Sequence, residues 1–147
     1  MIPEAKGATP FGIFLLADDF LKAANASKLH SRIRSGGPVR LLCFHAIELF
    51  LKCYLRARGQ DVETLRAYGH RLSDMARSAQ DDGLDLAKSV VRRLDRLTER
   101  NDYVRVRYMV VDTQGDIKPG AILMLANEVR EAVRLALRFD EFGNPLA

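Results

Sequence analysis

Arginine dominates one late stretch of this chain. Arg93, Arg96, Arg100, Tyr103 and Arg107 follow one another at steps of three and four residues, the spacing of a single helix face. A planar guanidinium presents paired N–H donors that fit phosphate oxygens. Arg100, Arg105 and Arg107, with Asn101 and Tyr108 among them, are a candidate cluster for holding phosphate oxygens. A solvated charged face, balanced by Asp95, Glu99 and Asp102, accounts for the same pattern equally well.

A secondary polar stripe lies earlier. His45, Glu48, Lys52 and Arg56 are spaced i, i+3, i+7 and i+11 within an otherwise apolar run, Val39 to Arg58. They share one helix face, and Glu48 precedes Lys52 by four residues, the better order for an intrahelical pair. Such a stripe either meets solvent through a slot in the fold or faces a partner.

Other chemistry finds little support. There is no Gly-x-Ser-x-Gly elbow, no phosphate-binding Gly-rich loop and no dinucleotide fingerprint. His30, His45 and His70 are the only histidines, and neither Cys-x-x-Cys nor His-x-x-x-His occurs, so no metal and no cofactor are expected. Cys43 and Cys53 stand ten positions apart on one helix, about 15 Å, too far for a disulfide. They read as small core residues. Asp18 and Asp19 could meet Glu48 in space, but no Glu-x-x-His accompanies them, and a di-metal bundle is not expected.

These residues need helices to position them. Thr9-Pro10 reads as a cap and first helical residue, opening a helix to about Leu29 with Ile13, Leu16, Ala17, Phe20, Leu21 and Ala24 inward. Ser35-Gly36-Gly37-Pro38 is a break. The run from Val39 to Arg58 is apolar on nearly every side, the mark of a central, buried helix, and Gly59 ends it. Asp61 caps a short turn, Val62 to Ala67. A second short helix, with Leu72, Met75 and Ala76 inward, runs from His70 to about Gln80. Leu86, Val90, Leu94, Leu97, Asn101, Val104 and Tyr108 trace the next helix from about Asp85 to Arg107. On that line Asn101 falls on an otherwise buried face. Val104 to Val111 also alternates with period two, so a small hairpin over that stretch stays open. Pro119-Gly120 closes a loop. The last helix spans about Ala121 to Phe139, with Ile122, Leu125, Val129, Val133, Ala136 and Leu137 inward.

The fold predicted is all-α: an up-and-down bundle of four long helices plus one or two short ones. It forms a single domain over residues 1–147, with residues 1–8 loose. Of the 147 residues, 48% are hydrophobic and 29% charged, the balance of a soluble globular chain. A chain of this length can bury a real core. The longest apolar run is interrupted by His45, Glu48 and Lys52, and no membrane span is expected. The first ten residues lack the order of a signal peptide, so a cytoplasmic location is expected. The net charge of +4 permits a nucleic-acid partner without demanding one.

Taken in order, Ala46-x-Glu48-x-x-Leu51-Lys52-x-x-Leu55, then Gly59, then Gly69-His70-x-Leu72, then Arg100-Asn101 late in a long helix, the chain resembles the HEPN domains. The resemblance spans most of the sequence. It implies a helical bundle that pairs into a homodimer. In active members an Arg-x4–6-His motif on the late helix cleaves RNA without a metal, the arginine holding phosphate and the histidine assisting attack by the ribose 2′-hydroxyl. Here Arg100 and Asn101 match the start of that motif, but Arg105, Val106 and Arg107 follow where the histidine would stand. Arginine stays protonated and cannot act as the base. The expectation is a dimeric module, catalytically degenerate, that binds RNA or a nucleotide. The alternatives are a metal-independent endoribonuclease of a toxin–antitoxin or defence system and a non-catalytic subunit for a nucleotidyltransferase-like partner.

Overall fold

The computed structural model of the chain describes residues 9–30, 37–100 and 117–146. They form six helices: α1 (Pro10–His30), α2 (Gly37–Ala57), α3 (Val62–Ala67), α4 (Leu72–Asp81), α5 (Lys88–Glu99) and α6 (Pro119–Leu137). Among the described residues the β content is an isolated bridge between Phe139 and Pro145, so the fold is all-α as the periodicity predicts. No described helix is long and apolar enough to cross a membrane.

The helix that is apolar all round is the hub. α2 packs against α1, α6, α4 and α3, while α5 leans on α4 and α6. Ile47, Phe50, Leu51 and Leu55 on α2 have no exposed surface. Removing each such side chain from water contributes about 1.5–3 kcal/mol. Phe14 of α1 meets Phe50 edge-on at 5.2 Å and Phe139 at 5.3 Å, joining three segments at one end of the core.

Local chemistry sets most boundaries. The Gly12 N–H donates to Thr9 Oγ1 at 3.0 Å at the start of α1. The Thr64 N–H donates to Asp61 Oδ1 at 2.8 Å at the start of α3. That bond holds the Asp61 carboxyl below its usual range. Gly59 and Gly83 take φ of +102° at the ends of α2 and α4. At each, the following N–H reaches five residues back, Gln60 to Leu55 and Leu84 to Ala79, which satisfies carbonyls the helix leaves open. α6 ends the same way, with Phe139 N–H on the Arg134 carbonyl and Arg138 itself at φ +58°.

The structure departs from the sequence expectations at several points. α5 begins at Lys88, not Asp85. Residues 84–87 are not helical, and Leu84 and Leu86 reach the core from them. The four-residue step from Leu86 to Val90 imitates a helix that has not yet begun. Pro119 and Gly120 belong to α6, not to a loop, because proline at the first turn needs no N–H partner. Leu16 is 49% exposed, not inward, and Ala136 also faces outward. The helix-or-hairpin stretch Val104 to Val111 lies outside the described residues, as does Asn101.

Candidate functional site

Glu48 lies in the middle of the hub helix and is only 7% exposed. A buried carboxylate is costly unless it is paired, and two cationic or proton-bearing groups meet it. Lys52, one turn on, places Nζ 3.3 Å from Oε2, the pair expected from the i, i+4 spacing. His70 places Nδ1 2.6 Å from Oε1. An ionised carboxylate only accepts, so Nδ1–H is the donor.

The turn before α4 brings His70 there. Gly69 sits at φ +58°, a left-handed conformation that glycine adopts without strain. Its carbonyl receives a long bond from Lys52 Nζ at 3.4 Å. Arg71 closes the turn, donating from Nη2 to the Ala67 carbonyl at 2.9 Å and from Nε to Asp74 at 2.7 Å. The His70 side chain is 44% exposed while Glu48 is 9% exposed. The carboxylate is thus inside and the imidazole at the surface.

The rest of the stripe divides. His45 stacks on Phe20 of α1, centroids 5.3 Å apart and planes 29° apart, and meets the His70 ring edge-on at 6.5 Å. Arg56 turns away and donates to the Gln60 carbonyl at 3.0 Å. Nearby, the Tyr68 hydroxyl donates to Gln60 Oε1 at 3.0 Å and lies 2.9 Å from Ser78 Oγ, bracing α3 against α4. The stripe therefore meets the chain's own turn, at Gly69 and His70.

α5, which carries Arg93 and Arg96 and leads into Arg100, packs against α4. The Ser73 N–H donates to Thr98 Oγ1 at 3.2 Å, and Ser73 Oγ donates to Asp95 at 2.7 Å. These bonds fasten the start of α4 to the end of α5. Arg100 caps α5 two residues past Thr98, its N–H on the Arg96 carbonyl at 3.0 Å. Arg93, earlier on the same helix, is paired with Glu128 of α6. Asn101, Arg105, Arg107 and Tyr108 lie outside the described residues.

The chain matches no protein-family model, no curated protein and no solved structure. Its chemistry therefore rests on geometry. A cleft of about 490 Å³ between the start of α5 and α6 is lined by Leu86, Val90, Glu128 and Glu131, among others. It lies away from His70, and its glutamates are already engaged: Glu128 by Arg93, Glu131 by Arg130 and Arg134. Asp18 does not join Glu48 but binds Arg130. Cys43 and Cys53 are free, and burial pushes both thiols up to about 12.

Sequence reasoning named His70 and Glu48 separately and missed their union. The signal available was weak: a carboxylate inside an apolar helix, which demands a partner, and a histidine at the head of a short helix. Phe20 as the stacking partner of His45, and Ser73 as the link between α4 and α5, left no periodic trace.

Proposed function

We propose that this chain is a HEPN-like homodimeric module that binds RNA or a nucleotide through its phosphates, where α4 begins and α5 ends. The observation that carries the reading is the pair of Ser73 bonds to Thr98 and Asp95. They bring the turn holding His70 and Arg71 beside the helix end that carries Arg100. Three nearby carboxylates have partners: Glu48 with Lys52 and His70, Asp74 with Arg71, Asp95 with Ser73. The guanidinium groups of Arg71 and Arg100 at this end are of the kind suited to phosphate oxygens. The order of Glu48, Gly69-His70-x-Leu72 and Arg100 along the chain supports the family reading. Asn101, Arg105, Arg107 and Tyr108 enter it from the sequence alone. The family motif lacks its late histidine, so that motif supplies binding and no base.

A labelled single-stranded RNA, followed by fluorescence anisotropy across a salt series, tests this reading. Each phosphate contact releases counterions, giving a slope of about −0.7 per contact in log affinity against log salt. Arg100→Ala should weaken binding and flatten that slope by about one contact. Salt-insensitive or absent binding would remove the reading. Light scattering should give twice the chain mass of 16.5 kDa. A monomer at micromolar concentration would remove the dimer from it.

A further inference from the structure

We propose that the cleft between α5 and α6 is a binding site for a linear aliphatic polyamine. The cleft is separate from the turn at His70, and its lining divides into two kinds of residue. Leu86, Ala87, Val90 and Ala132 are apolar, while Asp85, Asn127, Glu128 and Glu131 carry the polar side-chain atoms. Local structure places both sets. Along residues 84–87, outside any helix, burial alternates, so that Leu86 turns inward while Asp85 and Ala87 stay exposed. On α6, Glu128 and Ala132 stand four residues apart, as do Asn127 and Glu131, and so share a face. The volume of about 490 Å³ falls within the range of small-molecule sites, about 300–1,000 Å³.

Every polar side chain in this lining offers acceptors. Asn127 Nδ2 donates to the Leu123 carbonyl at 2.9 Å, which leaves its Oδ1. Asp85 is exposed and, among the described residues, is joined by no cation. The arginines that hold Glu128 and Glu131 lie deeper than the carboxylates. Glu128 and Glu131 are 44% and 47% exposed, against 30% for Arg93, 13% for Arg130 and 20% for Arg134. Arg130 is also anchored on Asp18, and Arg134 on the Phe139 carbonyl. These guanidinium groups fix the carboxylates and leave outward lone pairs open, since each carboxylate has about four acceptor positions. A fitting ligand carries donors at its heads and apolar groups between them. Protonated amines joined by alkyl chains have that constitution. Their ammonium heads give charge-assisted bonds to the rim, and their methylenes lie on Leu86, Val90 and Ala132. An anion would meet the carboxylates, and a bare metal ion would leave the apolar floor uncovered.

The test is calorimetric titration of the full chain with spermidine. Spermidine should bind at least about tenfold more tightly than butylamine, which has a single head, or magnesium, which has charge without methylenes. Asp85→Asn removes a surface carboxylate that no cation holds. Ala132→Leu fills the floor without changing any charge. Each should weaken spermidine binding about tenfold or more, with the circular dichroism of the ligand-free protein unchanged. Should Ala132→Leu disturb the fold, Ala87→Leu on the exposed edge of the floor decides. Magnesium or butylamine binding as tightly as spermidine overturns the proposal. So does affinity unchanged in Asp85→Asn and in the cleft-filling variant, or no binding at millimolar spermidine. A tetralysine peptide bound more tightly than spermidine overturns the free polyamine and assigns the cleft to lysine side chains of a partner.

Discussion

Arg130 of α6 clasps Asp18 of α1 through two near-parallel bonds, Nε to Oδ1 at 2.6 Å and Nη2 to Oδ2 at 3.1 Å. The guanidinium also lies over the Phe14 ring, 5.3 Å from its centroid, and donates to the Glu141 carbonyl. The bond to Asp18 pushes Arg130 further above its ordinary range. Both side chains are largely shielded, at 13% and 10% exposure. Breaking a buried pair costs about 3–5 kcal/mol because one charge is stranded. Asp18→Asn should fall at the low end, since Glu131 still faces Arg130. Replacing both members with apolar residues of similar size should cost much less. A urea midpoint unchanged in Asp18→Asn would show that the clasp is idle.

Two positive-φ positions should respond in opposite directions. At Gly143, φ is +86°, and an added Cβ would come within 2.6 Å of Phe14 Cδ1. Phe14 is fully buried and cannot yield, so Gly143→Ala should cost about 1–3 kcal/mol. At Arg138, φ is +58° and a side chain already sits where glycine would be relaxed. Arg138→Gly should raise stability, by up to about 1 kcal/mol. Thermal melts of the two variants moving in the same direction would contradict this.

The hub helix should carry more stability than the surface of α5. Phe50→Ala or Leu51→Ala should cost roughly 2–5 kcal/mol through the cavity left behind. Arg96, exposed on α5, should cost under about 0.5 kcal/mol when changed to Ala. Equal losses in denaturant titrations would mean that α2 is not the centre.

The thiols give a pH prediction. Cys43 and Cys53 are raised to about 12 in the folded chain by burial, against about 8.5 when unfolded. A group raised on folding adds its stability fully below the unfolded value and loses it as pH climbs towards the folded one. Stability should therefore decline between about pH 8.5 and 12. Replacing both cysteines with Ala should flatten the decline. In native protein near neutrality neither thiol should react with a disulfide reagent, and both should do so in urea. Rapid native labelling would place at least one thiol at the surface.

Much of the frame was legible because it is local. An all-round apolar run marks α2, Thr9 and Asp61 cap α1 and α3, and glycine marks the ends of α2 and α4. The end of α6 was less legible because arginine, not glycine, holds the left-handed position there. The start of α5 was misread because Leu86, in a non-helical segment, leads into Val90 at a helical step. Of the polar contacts, Glu48 to Lys52 follows from spacing alone. Glu48 to His70 spans 22 residues and Asp18 to Arg130 spans 112, and no periodicity relates partners that far apart. Of the late candidate-site residues the described ones contain Arg100, and the Ser73 contacts that fasten α4 to α5 could be found only in three dimensions.

The central place of α2 also sets a timetable for synthesis. The helix is complete at Ala57, but α6, which covers one of its faces, ends at Leu137. At ribosomal speeds of about 5–20 residues per second, those roughly 80 residues take about 4–16 s. For that interval Phe50, Leu51 and their neighbours lack one of their eventual covers. α1, made first, is the partner at hand to shelter them. A nascent chain with a weakened α1 should therefore be caught by chaperones or aggregate before α6 arrives, even where the finished fold would tolerate the change.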